Sequence, residues 1–172
     1  PRLLKAAAGM YYTTEDGRQI LDGTAGLWCV NAGHAHPKIT QAILEQAQTM
    51  DFGTPFQMGH AKAFEAASSL AAMAPADLNR VFFCNSGGEA DEALIKLSRL
   101  QGVAKSGAEG KCFKVSCAKN AFHGRMFGGM SATPQEKIQK GFAPLVPGFV
   151  FGELNNLQSF ADLIDDQTSA IM

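Results

Sequence analysis

Two short segments carry residue types that can do chemistry. The first, Cys84-Asn85-Ser86-Gly87-Gly88-Glu89-Ala90-Asp91-Glu92, sets two glycines between an apolar run and an acid-rich stretch with helical spacing. A small-residue turn that opens a helix suits an anion. The first-turn N–H groups have no partner of their own, and the helix dipole adds partial positive charge. Glycine lets a ligand approach the backbone closely, and Ser86 adds a hydroxyl. Glu89, Asp91 and Glu92 favour the dipole but would repel a phosphate, so they are expected to point away from it. The competing reading is a turn capped by Ser86 or Asn85; taken alone, the turn favours that reading. Neither GxxxxGK[ST] nor GxGxxG occurs at this turn, which excludes a P-loop and the dinucleotide fingerprint there.

The second segment, "NAFHGRMFGG" at 120–129, follows an apolar run that reads as a strand. In open parallel sheets, ligands sit outside the carboxyl ends of the strands. Phe122 and His123 can place a flat ring over a flat cofactor, and Arg125 can clamp a carboxylate. Core packing for Phe122 and a surface ion pair for Arg125 compete with those roles. His34 and His36 form an HxH pair, but no third and fourth ligand accompany them, so a metal site is disfavoured. His60 stands just before a helix and is expected to cap it or bond locally.

These residues need elements to position them. Residues 10–22 read as a hairpin about Asp16-Gly17. Residues 37–50 read as a helix opening at Pro37, with Ile39, Ala42, Ile43 and Ala47 on one face. Residues 61–73 read as a second helix, ended by Pro75. "VFFC" at 81–84 is expected to be a buried strand. A helix over about 89–101 is expected to bury Ala90, Ala93, Leu94, Leu97 and Leu100. "GAEGK" at 107–111 reads as a loop, and "CFKVSCA" at 112–118 and "FVFGE" at 149–153 read as strands. Phe149 and Phe151 are expected core residues. An amphipathic helix is expected over 156–165, with Leu157, Phe160, Leu163 and Ile164, before a strand begins at "SAIM". Alternating strands and helices predict an α/β fold with a parallel sheet.

Composition sets limits on partners. The chain has 172 residues, 46% of them hydrophobic, with 15 basic and 16 acidic side chains. No basic stripe points to nucleic acid. No apolar run reaches the roughly 18 residues of a membrane span, and no signal-peptide core is present. Cys29, Cys84, Cys112 and Cys117 form no CxxC pair; each lies among apolar residues, and free thiols in a reducing, cytoplasmic setting are expected.

Taken together, "DGTAGLWCVNAGHAHPKI", "VFFCNSGGEADEALIKLSR" and "FHGRMFGGMSAT" resemble the class III pyridoxal-phosphate-dependent aminotransferases over essentially the whole chain. Residues 1 to about 87, including "FQMGHAKAFE", look most like omega-amino-acid:pyruvate aminotransferases. Residues from about 88 onward, including "SATPQEKIQKGFAPLVPGF", look more like acetylornithine or ornithine aminotransferases. The resemblance implies part of the type I fold of pyridoxal-phosphate enzymes. Residues 1–45 would be an N-terminal segment, and residues 46–172 an incomplete large cofactor-binding domain. It also implies pyridoxal 5'-phosphate as cofactor, an amino donor and a keto acid as substrates, and a homodimer.

Carried over by resemblance, Ser86, Gly87 and Gly88 would hold the cofactor phosphate. Gly88 stands where many relatives have Ser or Ala. Phe122 would stack on the pyridine ring with His123 beside it. Leu27 and Trp28 would line the substrate pocket, and Arg125 would bind the α-carboxylate. None of the lysines here matches the Schiff-base lysine of relatives, nor is their pyridine-nitrogen aspartate found. The 172-residue chain alone is therefore expected to be inactive and not to fold as a stable monomer. Two alternatives stay open: another enzyme of the same fold (aminomutase, racemase or decarboxylase), or a non-catalytic fragment acting by binding or assembly.

Overall fold

The computed structural model describes residues 3–75 and 77–172. Pro1 and Arg2, at the start of the expected N-terminal segment, lie outside the described residues. The chain forms two compact units, Pro1–Val81 and Phe82–Met172.

In the first unit, β1 (Leu4–Ala8), β2 (Tyr11–Thr14) and β3 (Gln19–Leu21) form an antiparallel sheet in the order β1-β2-β3. The β2–β3 hairpin turns where the Asp-Gly signal sits. Gly17 takes φ 83°, which glycine adopts without a Cβ penalty. The buried Thr14 side chain closes the turn: its Oγ1 accepts from the Arg18 N–H at 3.0 Å and donates to Asp16. β1 was not anticipated. Its "LKAAA" has weak strand propensity and joins by pairing with β2, with an irregularity between Leu4 and Ala6.

A single turn, α1 (Ala25–Trp28), precedes α2 (Pro37–Thr49) and α3 (Ala61–Met73). α2 opens at Pro37, whose absent N–H costs nothing at that position. His60 caps α3 through its Nδ1, which accepts from the Lys62 N–H at 3.0 Å. α3 ends at Ala74, held extended at ψ 150° because Pro75 follows. The apolar face expected on α2 exists, but within the described chain Ile39 and Ile43 are exposed.

In the second unit the sheet is parallel, with β4 (Lys114–Ala118) between β5 (Phe149–Gly152) and β6 (Thr168–Ile171). Val115, Cys117 and Ala132 form the buried cluster, with Phe149, Phe151, Ala170 and Met172 packed on it. α4 (Gly87–Ser106) lies against this sheet. Short helices α5 (Phe127–Ser131), α6 (Glu136–Gln139) and α7 (Leu157–Ala161) fill the connections.

Four expectations need correction. Residues 81–84 are not a strand, and Phe82 is 80% exposed. A strand exists through its ladder, and none of the described strands pairs with this run. α4 extends to Ser106, where Gly107 at φ 71° ends it. Its buried line is Ile95 and Gly102, while Leu94, Leu97 and Leu100 are exposed. Gly102 sets that rotation: a Cβ there would lie 1.8 Å from the Cys112 carbonyl oxygen, so the helix rests its backbone on that strand approach. The amphipathic helix over 156–165 shrinks to Leu157–Ala161, with Leu157 and Ile164 exposed. Asn156 caps it by accepting from the Ser159 N–H, and Asp165 is drawn instead into bonds with Thr168 and Lys114.

The last correction concerns the thiols. All four are free, but only Cys112 and Cys117 are buried as small hydrophobes, and Cys29 is exposed. Burial pushes the Cys117 thiol up to about 11, so it stays protonated and inert near neutrality.

Candidate active site

Ser86 is extended (φ −154°, ψ 161°) and caps α4. Its Oγ accepts from the Glu89 N–H at 3.2 Å, while the Glu89 carboxylate accepts from the Asn85 backbone N–H at 2.8 Å. This is a variant of the capping box in which the glutamate reaches back to Asn85, one residue before the Ser86 cap. The capping reading of the turn is therefore correct, and it still leaves room for an anion. The N–H groups of Gly87 and Gly88 have no acceptor among the described residues, because no helical turn precedes them. A Cβ on Gly87 would meet nothing within 4 Å. Of the first-turn acids, Glu92 points away and accepts from the Gly129 N–H at 3.0 Å. Glu89 does not point away; the capping box folds it back onto Asn85.

The loop leaving the carboxyl end of β4 carries the second segment. Asn120 makes the bend at φ 62°, a left-handed conformation that asparagine tolerates. Phe122 is 57% exposed, and the Arg125 guanidinium lies 5.9 Å from its ring centroid, within cation–π range. Gly124 (φ 96°) brings this loop onto the start of α4: a Cβ on Gly124 would be 3.3 Å from the Gly88 Cα. A Cβ on Gly88 would in turn be 3.3 Å from the Met126 sulfur. Thus the turn at Ser86-Gly87-Gly88 and the loop that carries Phe122, His123 and Arg125 meet through Gly124 and Met126 on Gly88, though they are about 35 residues apart in the chain.

Leu27 and Trp28 belong to the first unit. They sit on a left-handed turn, with positive φ at Ala25, Gly26, Leu27 and Trp28. This conformation costs about 1–2 kcal/mol for each non-glycine residue. Asp22, whose side chain is 4% exposed, offsets the cost. Its carboxylate accepts from the Thr24 N–H at 3.1 Å and the Gly26 N–H at 2.7 Å, and faces His34 Nε2 at 2.7 Å. Tyr12 packs against the His34 ring, with centroids 4.5 Å apart and planes tilted by 56°. Leu27 and Trp28 are both exposed.

Asp22 and Tyr12 were not singled out from sequence, although Asp22 opens the "DGTAGLW" motif. His34 is engaged by Asp22, and His36 stands at the N-cap position of α2 without a side-chain bond to the helix. No group of three potential metal ligands converges among the described residues.

The Asp22 carboxyl is held well below the usual carboxylate range, first by the bond from His34 and then by backbone N–H groups, against burial that pushes it up. A depressed native value means that its stabilisation is fully present above about pH 4 and is lost as pH falls further. Asp22→Asn is therefore expected to lower the unfolding midpoint at pH 7 and to shift Trp28 emission. The gap to the parent protein should close below about pH 4. Melts of both proteins across that range check this; a gap independent of pH would assign the effect to shape rather than to charge.

A family model described as "Aminotransferase class-III" matches residues 1–172. An omega-aminotransferase of Caulobacter vibrioides is 43% identical over 150 residues, covering 86% of this chain and 33% of that protein. An acetylornithine aminotransferase of Caldanaerobacter subterraneus subsp. tengcongensis is 38% identical over 172 residues, covering 100% of this chain and 42% of that protein. Among solved structures, a thermostable (S)-enantioselective omega-transaminase from Thermomicrobium roseum superposes with a TM-score of 0.89 at 27% identity, over 99% of this chain and 43% of that one. The chain spans less than half the length of these relatives. The folded part is the α/β architecture of transaminase structures.

Proposed function

The chain belongs to the class-III aminotransferase family, and on that premise we propose that the complete protein transfers an amino group from an amino acid or amine to a keto acid, using pyridoxal 5'-phosphate. The observation that carries the reading is the contact of Gly124 on Gly88. It puts an aromatic ring and a guanidinium beside a helix end with two free N–H groups. The fit to the cofactor is chemical. The Gly87 and Gly88 N–H groups and the Ser86 hydroxyl suit a dianionic phosphate, and the open space over Gly87 admits it.

Bound there, the cofactor would supply the electron sink that amino transfer requires. This chain's residues do the rest of the work assigned to them. Ser86, Gly87 and Gly88 hold the phosphate. Phe122 presents its face to the ring, with His123 beside it. Arg125 leaves its place over Phe122 to grip a carboxylate, and the pocket role of Leu27 and Trp28 rests on the family resemblance alone. No covalent role is given to Lys114 or Lys119, which are paired with Asp165 and Glu153. Residues 1–45 as an N-terminal segment, residues 46–172 as the opening of the large domain, a homodimer and a cytoplasmic location belong to the same proposal. No helix among the described residues is long and apolar enough to cross a membrane.

The test uses the complete protein. Gly88→Val adds branched atoms where even a Cβ lies 3.3 Å from Met126. It is expected to weaken binding of pyridoxal phosphate and of inorganic phosphate about tenfold, or 1.4 kcal/mol. Equilibrium dialysis reads both, and a panel of amino donors with pyruvate or 2-oxoglutarate reads turnover. Unchanged phosphate affinity would move the anion site elsewhere; absence of amino transfer with every donor would end the reading.

A further inference from the structure

We propose that Thr133, Gln135 and Gln139 are positioning residues that hold the Phe122–Arg125 loop in register with the start of α4. The inference rests on the aminotransferase reading above. Thr133 and Gln135 bond to the backbone that carries the proposed binding residues, and Gln139 bonds to the carbonyl of Thr133.

The loop from Asn120 to Met126 makes few bonds of its own. The backbone there has left the β4 ladder, and the glycine at 124 adds freedom. Polar groups in such a segment need partners from elsewhere. Two side chains, Thr133 and Gln135, supply them, and a third, Gln139, holds the threonine. Thr133 is 0% exposed and uses its hydroxyl in both directions: Oγ1 accepts from the His123 N–H at 2.8 Å and donates to the Gly129 carbonyl at 2.8 Å. One hydroxyl therefore ties the loop to α5. Gln135 Nε2 donates to the Ala121 carbonyl at 2.9 Å and the Asn120 carbonyl at 3.2 Å, at the bend where Asn120 is left-handed. Gln139 Nε2 donates to the Thr133 carbonyl at 2.8 Å and the Met130 carbonyl at 3.2 Å, which fixes the threonine itself.

These bonds bracket Phe122. Ala121 is held on one side and His123 on the other, so the backbone that sets the plane of the ring is pinned on both sides. Arg125 follows two residues later, across the Gly124 contact with Gly88. A ring used as a stacking surface must be held to a fraction of an ångström, and support of this kind normally comes from surrounding hydrogen bonds. The brace therefore sets ring orientation and guanidinium placement. It leaves the phosphate turn, which has its own capping box, independent.

That independence makes the proposal testable in the complete protein with pyridoxal phosphate and inorganic phosphate as probes. Thr133→Val keeps the shape and removes both bonds. It is expected to weaken pyridoxal phosphate binding about tenfold, equivalent to 1.4 kcal/mol. It should also reduce the induced circular dichroism of the bound chromophore and raise KM for α-amino acids more than it lowers kcat. Inorganic phosphate affinity should stay at the parent value, and Thr133→Ser should restore the parent dichroism. Gln135→Ala, at a half-buried position, should reproduce the pattern in weaker form and serves if Thr133→Val fails to fold. Parent-level cofactor affinity and dichroism in the folded variants would overturn the proposal. A parallel loss of phosphate and cofactor binding would also overturn it, since it would show only a general loosening of the unit. If the parent protein binds inorganic phosphate but no pyridoxal phosphate, the aminotransferase reading fails first and this inference with it.

Discussion

Replacing Gly129 with alanine is expected to destabilise the second unit by about 3 kcal/mol or more, at the upper end of what overpacking costs. A Cβ at this position would lie 2.0 Å from the His123 carbonyl oxygen. The obstacle is backbone, so no rotamer change relieves it. The glycine is buried in α5, and its N–H is committed to Glu92 at 3.0 Å. Relief requires the 120–126 loop to move off α5, which breaks the Thr133 bond to His123 and carries Phe122 and Arg125 away from Gly88. Stability and cofactor binding should therefore fall together. Gly87→Ala is the control: its Cβ meets nothing within 4 Å, and the midpoint should change little. Denaturant unfolding of both variants decides the matter; similar midpoints would mean that α5 and the loop do not pack as closely as the structure shows.

Arg125→Ala in the complete protein is expected to cost about 10- to 100-fold in kcat/KM for donors with an α-carboxylate, the range for a lost charge-assisted hydrogen bond. Simple amines should lose far less. Arg125→Lys should recover only part of the loss, because an ammonium cannot grip a carboxylate bidentately. The resting contact over Phe122 at 5.9 Å is exposed and contributes little by comparison, so cofactor affinity should change by less than substrate affinity. Steady-state kinetics with matched amino acid and amine pairs separates the two classes. Equal losses for both would remove the carboxylate role.

Much of the local structure was legible in the chain. Asp16-Gly17 marks a hairpin, Pro37 a helix start, Pro75 a helix end and Ser86 or Asn85 a capped turn, because each rests on the backbone chemistry of a few neighbouring residues. The parallel strands β4, β5 and β6 were legible as apolar runs. The same reasoning failed at Val81–Cys84, where an apolar run equally strong found no ladder. It failed again on α4, whose leucines gave the right period and the wrong face. Periodicity says that a helix has an apolar stripe; it does not say which side a glycine will press onto a neighbouring strand.

The candidate site divides along the same line. Residue types at Ser86–Gly88 and Phe122–Arg125 mark both segments as candidates from sequence, since the capacity for an anion turn, a flat ring or a carboxylate grip belongs to the side chains and to a helix end. Sequence also carries the family, because whole motifs occur in order. Only the tertiary structure decided that Gly124 meets Gly88 and so brings the two candidate segments into contact. It likewise decided that Thr133 and Gln135 serve the loop, and that Asp22 and His34 hold the left-handed turn under Leu27 and Trp28. Those pairings join residues 10 to 36 positions apart. Whether such residues meet depends on how the intervening helices and strands pack, which no local preference encodes.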